Sequence, residues 1–255
     1  MDLKRLLFDV SDHVATITIN RPERLNATDD LTRAELGMAW ARVRDDSDIR
    51  VAIITGAGDR AFCAGQDIKA TAEGGIRNKV PGSRLHHNVW KPVICALNGM
   101  AVGGALHQVA DSDLIIAAEH AELIDTHLKV GNVFALEPAV LLRRMPLSMV
   151  MQLALMTKEG RITAQRGYDI GLINEVVPAD RLQERAREIA LSIAKLSPAT
   201  VQTSIKAMWT SLDVGLHAAN DVAYRYVLQH QMTHPDYREG MVAFAEKREP
   251  RWVVE

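Results

Sequence analysis

Residues 91–105 read KPVICALNGMAVGGA, and this stretch carries the pattern that decides the fold. Val93–Leu97 is a continuous apolar run, which is typical of a strand that is buried on both faces of a sheet. Asn98-Gly99 predicts a turn after the strand, and Gly103-Gly104 predicts the start of a helix. The stretch therefore predicts one strand–helix unit of an α/β protein.

The same alternation of strands and helices continues on both sides of this stretch. Residues 6–10 and 14–20 are short β-type runs joined by a turn, and residues 28–44 have helical spacing. Residues 51–55 and Leu114–Ala118 are further apolar runs that predict buried strands. Strands that alternate with helices are usually joined by right-handed crossovers, so a mostly parallel sheet is expected.

The pattern changes to a helical one from Glu137 onward. We divide the chain into a core over residues 1–195 and a C-terminal helical region over residues 196–255. Residues 71–83 carry three glycines and a proline, which predicts a loop. The predicted late helices cover residues 148–156, 164–170, 180–196, 198–212, 216–232 and 235–247, and a short extended run covers residues 172–177.

Composition excludes several classes of function. The net charge of the 255 residues is −2, so no global field favours nucleic acid or an anionic membrane. Two cysteines, Cys63 and Cys95, are too few for a disulfide framework or a zinc site by themselves. The N-terminus lacks the apolar core of a signal peptide, and no run is long enough to span a bilayer. We expect a reduced, cytoplasmic protein.

Two glycine-containing segments are candidates for binding a ligand through the backbone. Residues 61–68 (AFCAGQDI) are predicted to form a loop after a strand. Residues 98–105 (NGMAVGGA) lead into a helix whose first N–H groups lack intrahelical partners. Two N–H groups that converge on one oxygen form an oxyanion hole, which stabilises an enolate or a tetrahedral intermediate of a thioester. For either segment alone, a tight turn or close helix packing is the more frequent explanation.

Together with their surroundings, these segments resemble the enoyl-CoA hydratase/isomerase (crotonase) superfamily over nearly the whole chain. Residues 20–27 (NRPERLNA) resemble the N-terminal signature of that family, and the two glycine segments resemble its two oxyanion segments. Other matching segments are residues 113–117, 161–164, 171–177 and 238–248.

The resemblance implies a spiral core of repeated β-β-α units and a C-terminal helical region that builds homotrimers, often paired into hexamers. It implies an acyl-CoA substrate of fatty acid metabolism, with coenzyme A as part of the substrate and no separate cofactor. From charge and residue spacing we expect no metal, nucleic-acid or membrane partner. By position, the oxyanion N–H groups belong to Gln66 and Gly104. The implied CoA contacts are Arg24, Ala64, Asp67, Ile68, Lys69 and, from a neighbouring subunit, Lys247. Arg24 and Lys69 also fit solvated surface charges.

The sequence departs from the family pattern at both catalytic glutamates. Alignment from Gly103-Gly104 places His107 at the first glutamate, and alignment over residues 121–131 places His127 at the second. Glu137 brings a carboxylate near the same region, and either Glu137 or Asp125 is a candidate to orient one ring. Imidazole serves as a general base near neutral pH, so we predict His107, His127 and Glu137 as catalytic residues. Packed, hydrogen-bonded histidines are the alternative.

Several reactions fit an oxyanion hole with histidines beside it. An atypical hydratase or lyase is the first expectation, and isomerisation, which needs one base, stays open. A β-diketone C–C hydrolase or an acyl-CoA decarboxylase is the alternative, because both form an enolate. A protein that retains the fold as a non-catalytic CoA-binding or scaffold protein is the alternative of another class. His86 and His87 fit exposed polar residues.

Overall fold

The computed structural model describes residues 3–69 and 82–253. The strands are β1 (Leu6–Ser11), β2 (Val14–Ile19), β3 (Val51–Gly56), β4 (Ala61–Cys63), β5 (Val93–Leu97), β6 (Met100–Val102), β7 (Leu114–Ala118), β8 (Glu122–Ile124), β9 (Ile162–Thr163) and β10 (Glu175–Val177). The helices are α1 (Asp30–Asp45), α2 (Leu106–Asp111), α3 (Leu136–Leu141), α4 (Leu147–Leu155), α5 (Ala164–Asp169), α6 (Leu182–Ala194), α7 (Pro198–Ser211), α8 (Leu216–Thr233) and α9 (Pro235–Glu246). Most of the loop predicted over residues 71–83 lies outside the described residues.

The apolar runs form the larger of two sheets, which has the strand order β1-β2-β3-β5-β7-β10. β1 and β2 pair as an antiparallel hairpin, and the remaining neighbours in this sheet are parallel. Every residue of β3 and β5 is buried. The mostly parallel sheet predicted from the apolar runs is therefore confirmed.

A second sheet has the order β4-β6-β8-β9, and the sequence patterns do not predict it. β4, β6 and β8 have three residues each, and each follows a strand of the larger sheet along the chain. Three residues are too few for hydrophobic alternation to be recognised. The expectation that residues 61–68 form a loop is thus wrong for β4, because Ala61–Cys63 pairs with β6. Strand pairs followed by helices give the repeated units expected of a crotonase-like core.

Side chains on opposite faces of β3 enter two different cores. Ala52 and Ile54 pack into the core that lies on the α1 side, whereas Val51 and Ile53 pack against α6 on the other face. Successive residues of a strand point to opposite faces, so both must be apolar when both faces are covered. This packing fixes β3 and β5, which lead into β4 and β6 and from there into the segments that line the candidate site.

The C-terminal helices are largely exposed. None of the residues of α8 is buried, and α7 pairs with α8 mainly through partly exposed side chains. Large apolar side chains on this region are solvent-exposed, including Met208, Tyr224 and Phe244. Trimerisation through this region stays a prediction. Among the described residues, no helix combines the length and the apolar character that crossing a membrane requires.

Candidate active site

The two glycine segments lie in direct contact. Gly65 has a φ of +82°, and a Cβ atom built on it would lie 2.5 Å from the carbonyl oxygen of Val102 and 3.7 Å from the backbone nitrogen of Gly104. Only glycine fits at this position, because a side chain would collide with the neighbouring backbone and the conformation lies in the left-handed region. The backbone after β4 is therefore held against the backbone after β6.

Hydrogen bonds to Thr28 fix the direction of the Gln66 backbone. The carbonyl of Gly65 accepts a bond from the Thr28 N–H at 2.7 Å, and the Asp67 N–H donates to the Thr28 carbonyl at 2.9 Å. The residues before and after Gln66 make these two bonds. In a strand pair, the N–H of the residue between them points to the opposite side, so the Gln66 N–H points away from Thr28. Gln66 and Gly104 both line one cavity of about 360 Å³. The other residues lining this cavity are Ala64, Gly65, Ile68, Val102, Gly103, Thr126, His127, Val130 and Asn132.

Two of the expected CoA contacts, Ala64 and Ile68, line this cavity. Arg24, Lys69 and Lys247 are exposed, and the cavity wall does not include them. The carboxylate of Asp67 instead lies 3.2 Å from the guanidinium of Arg21.

Arg21 is buried and contacts Asp67, the residue next to Gln66. The sequence patterns do not single out this arginine. Its NH1 group donates to the carbonyl of Ala27 and lies 3.5 Å from Asp29. A motif does not tell whether an arginine in it is buried, because burial depends on contacts with segments that are distant in the sequence. Arg21 and Asp67 tie the N-terminal turn to the loop that presents Gln66.

We expect Gly65→Ala to separate the two segments. The free energy of unfolding should fall by about 3 kcal/mol, because the new Cβ meets a backbone oxygen and the left-handed conformation disfavours alanine. The kcat for a CoA thioester should fall about a hundredfold if the Gln66 N–H is displaced. Gly171→Ala is the matched control, since Gly171 has a φ of +79° but no atom within 4 Å of the new Cβ. Equal losses in both variants would show that the contact with Val102 has no special role.

His127 is oriented by a buried carboxylate. The Nδ1 atom lies 2.6 Å from Asp125 Oδ1, and Asp125 Oδ2 accepts a hydrogen bond from the His127 backbone N–H at 3.0 Å. Asp125 is completely buried, so the imidazole donates from Nδ1 and turns Nε2 toward the site. The hydrogen bond to Asp125 raises the pKa of His127, burial opposes this effect, and the charge of Glu137 adds to it. Phe134 stacks on the ring, with centroids 5.4 Å apart.

Glu137 lies between the two histidines. Its Oε1 atom is 3.4 Å from Nε2 of His107 and 3.7 Å from Nε2 of His127. The residue begins the buried face of α3 and is 4% exposed. Burial raises the pKa of the Glu137 carboxyl, and the charge on His127 acts in the opposite direction. The structure thus brings together the three residues predicted as catalytic.

His107 lies at the start of α2 and is uncharged at neutral pH. Burial lowers its pKa to about 4, and the neighbouring His86 and His127 contribute in the same direction. Its Nδ1 atom is buried and has no hydrogen-bond partner among the described residues. His107 is therefore suited to accept a proton or a hydrogen bond at Nε2, on the side of Glu137.

We expect the buried His107 to make the fold sensitive to acid. Its pKa falls from the usual 6.5 to about 4 in the folded chain, so the unfolded chain binds this proton first. Stability should therefore decrease between pH 6.5 and 4, by at most about 3 kcal/mol from this residue. Thermal unfolding across this range should show a smaller decrease for His107→Asn than for the wild type. The same pH dependence in both proteins would contradict the assignment.

Within residues 3–69 and 82–253, no group of three or more histidine, cysteine, aspartate or glutamate side chains is arranged to hold a metal ion. The imidazole of His127 and the carboxyl group of Glu137 are groups that can transfer protons. Backbone N–H groups at Gln66 and Gly104 border the same cavity as the oriented imidazole of His127. This arrangement can remove a proton next to a carbonyl group and stabilise the negative charge that forms on its oxygen.

The cavity is lined by two backbone segments and by an oriented imidazole, an arrangement typical of enzymes that form enolates, and comparison with known proteins identifies the family. The sequence model of the family described as "Enoyl-CoA hydratase/isomerase" matches residues 9–254. The chain belongs to the enoyl-CoA hydratase/isomerase family.

Relatives match this chain over nearly their whole length. An (E)-benzylidenesuccinyl-CoA hydratase from Thauera aromatica is 38% identical over 95% of this chain and 96% of its own. A carnitinyl-CoA dehydratase from Proteus mirabilis is 36% identical over 94% of each chain. The crystal structure of an enoyl-CoA hydratase/isomerase from Mycobacterium paratuberculosis has a TM-score of 0.93 and 35% identity, and covers 100% of both chains. These similarities show the crotonase fold and a family of acyl-CoA enzymes.

Proposed function

We propose that this protein is a hydratase or dehydratase of an acyl-CoA thioester, in which His127, Glu137 and His107 replace the usual pair of glutamates. The observation that carries the proposal is the position of Glu137 Oε1, within 3.4 and 3.7 Å of the two imidazole Nε2 atoms. An oriented imidazole that lines the cavity and a carboxyl group 3.7 Å from it supply the acid and the base that addition or removal of water requires.

His127 is the base at the α-carbon in this proposal. It lines the cavity, and its ring lies against Gly103, where an added Cβ would be 3.5 Å from His127 Cε1. The α-carbon is bonded to the thioester carbonyl, so a base next to the oxyanion donors is well placed to reach its proton. In the dehydration direction, Nε2 takes that proton, and the electron pair moves into an enolate held by the N–H groups of Gln66 and Gly104.

Glu137 is the acid at the β-carbon. As the enolate collapses, the bond from the β-carbon to its hydroxyl group breaks, and the departing oxygen takes the carboxyl proton of Glu137 and leaves as water. His127 then holds the former α-proton, and Glu137 is ionised. Transfer of this proton across the 3.7 Å gap from Nε2 to Oε1 restores both groups. The raised pKa of each group favours a shared proton at neutral pH.

The named relatives support the class of reaction. Their names describe a hydratase and a dehydratase, and both names contain a CoA thioester. In this proposal the thioester end of the substrate lies along Ala64 and Ile68, which line the cavity. Lys247 of a neighbouring subunit would contact the nucleotide end in a trimer or a dimer of trimers.

The test is a panel of purified CoA thioesters. We expect enoyl-CoA hydration, or dehydration of the 3-hydroxyacyl product, to be detected by the change in absorbance of the conjugated thioester. The panel includes β-keto and malonyl thioesters, because cleavage or decarboxylation of these compounds alone would replace the proposal with the alternative enolate chemistry. Binding of CoA thioesters without any turnover would instead support a non-catalytic protein.

A further inference from the structure

The segment that follows His127 folds back over its imidazole ring. The carbonyl of His127 accepts hydrogen bonds from the Val130 N–H at 3.1 Å and from the Asn132 N–H at 2.9 Å. These two bonds close a turn, and the chain after the turn brings the side chain of Phe134 to the ring. The rings of Phe134 and His127 are stacked, with centroids 5.4 Å apart and an interplanar angle of 25°.

The same segment also supplies Glu137, so it contacts the imidazole of His127 in two directions. Phe134 covers one face of the ring, and Oε1 of Glu137 lies 3.7 Å from Nε2. Nδ1 is held by Asp125 at 2.6 Å, and Cε1 would be 3.5 Å from a Cβ added to Gly103. Of these four neighbours, Phe134 is the one that contacts a face of the ring.

Phe134 is itself held by the core of the protein. Its side chain is half-buried and packs against the core that lies on the α1 side of the larger sheet. Because protein cores are close-packed, a ring that rests on the core resists displacement by the imidazole beside it. The contact therefore limits rotation of the His127 ring about the bond that joins it to Cβ.

The contact also affects the proton equilibrium of His127. The electron-rich face of an aromatic ring attracts a cation, and imidazole becomes a cation when it takes up a proton. Among the described residues, the charged or titratable groups that face His127 are Asp125, Glu137 and His107. The hydrogen bond to Asp125 raises the pKa of His127, and the aromatic face of Phe134 acts in the same direction.

We infer that Phe134 is a positioning residue, which aligns the imidazole of His127 and stabilises its protonated form. Alignment keeps Nε2 directed toward Glu137 and the cavity. The aromatic face stabilises the imidazolium that forms as Nε2 takes the α-proton, so it favours the transition state over the neutral ground state. This role rests on the proposed function of His127 as the base.

The first measurement needs no substrate. The pKa of His127 is read from the pH dependence of its Cε1–H signal in protein labelled with ¹³C-histidine, and His127→Gln assigns the signal. Phe134→Leu retains an apolar side chain but has no aromatic face, so we expect the pKa of His127 to fall by about 0.5. Phe134→Tyr restores the aromatic face and should return the pKa to the wild-type value.

The second measurement is the rate on the CoA thioester that the panel identifies. In Phe134→Leu, kcat should fall about tenfold with KM changed less than about twofold, because the ring is misaligned at the reacting proton and not at the bound thioester. The rising part of the pH profile should move to lower pH by about 0.5. Phe134→Tyr should restore both the rate and the profile.

Phe8→Leu is the matched control. Phe8 of β1 is also half-buried and packs against the same core, but it does not line the cavity. This variant should leave the pKa of His127 unchanged. An unchanged pKa in Phe134→Leu, or an equal change in Phe8→Leu, would overturn the inference. Absence of turnover on every thioester would overturn the proposed function and leave the pKa result intact.

Discussion

Replacing His127 with glutamine is expected to lower kcat about a thousandfold, with a much smaller change in KM. In the proposed mechanism the imidazole removes the α-proton, and general base catalysis contributes about 10² to 10⁴-fold to the rate in enzymes. Glutamine has a similar reach and can still bond to Asp125, so the fold should be retained. Steady-state kinetics and thermal unfolding of the same preparation separate the two effects.

Asp125→Asn tests the same assignment by changing the hydrogen-bond partner of His127 Nδ1. Asparagine can present its amide group to Nδ1 and stabilise the wrong tautomer, so kcat should again fall steeply. His120→Gln is the control for both variants, since His120 is hydrogen-bonded to the Asp59 carbonyl at 2.8 Å and does not line the cavity. Full activity in His127→Gln would remove this residue from the mechanism.

Replacing Glu137 with glutamine is expected to lower kcat by about a hundredfold and to change the pH profile. The proposed reaction needs protonated Glu137 and neutral His127. The wild-type rate is therefore expected to rise as His127 loses its proton and to fall as Glu137 loses its proton. Burial raises the pKa of Glu137, which extends the acid form to higher pH. In the variant the decline at high pH should disappear.

The rising part of the profile should stay in place in Glu137→Gln. The rise follows loss of the His127 proton while Glu137 is still protonated and uncharged, so glutamine leaves the charge beside His127 unchanged over this pH range. Glu122→Gln is the control, because Glu122 forms a surface ion pair with Arg161 at 3.1 Å on the strand β8 that leads to the site. An unchanged bell-shaped profile in Glu137→Gln would assign the acid role to another group.

Sequence patterns predict the elements of this molecule whose structure is determined by residues close together in the sequence. Apolar runs such as Val93–Leu97 identify the strands of the larger sheet, because burial on both faces leaves a continuous signature. The family resemblance places Gln66 and Gly104 by motif, and both line the cavity. The three-residue strands of the second sheet leave no such signature, so the sequence of β4 cannot be distinguished from that of a loop.

Contacts between distant segments cannot be predicted in this way. The approach of Glu137 to His107 and His127 depends on how α3 packs against α2, which no local pattern encodes. The burial of Arg21 and the contact of His86 with His107 are of the same kind. The sequence predicts an exposed polar residue at His86, and this residue is exposed, but its ring also contacts the site.

The central claim is that His127 forms the enolate while Glu137 acts at the β-carbon. Its most direct test is deuterium incorporation from D₂O at the α-carbon of the 3-hydroxyacyl-CoA that the panel identifies, measured by mass spectrometry. The wild type and Glu137→Gln should both incorporate deuterium, with exchange exceeding turnover in Glu137→Gln, whereas His127→Gln should incorporate almost none. Exchange that persists at the wild-type rate in His127→Gln would contradict the claim.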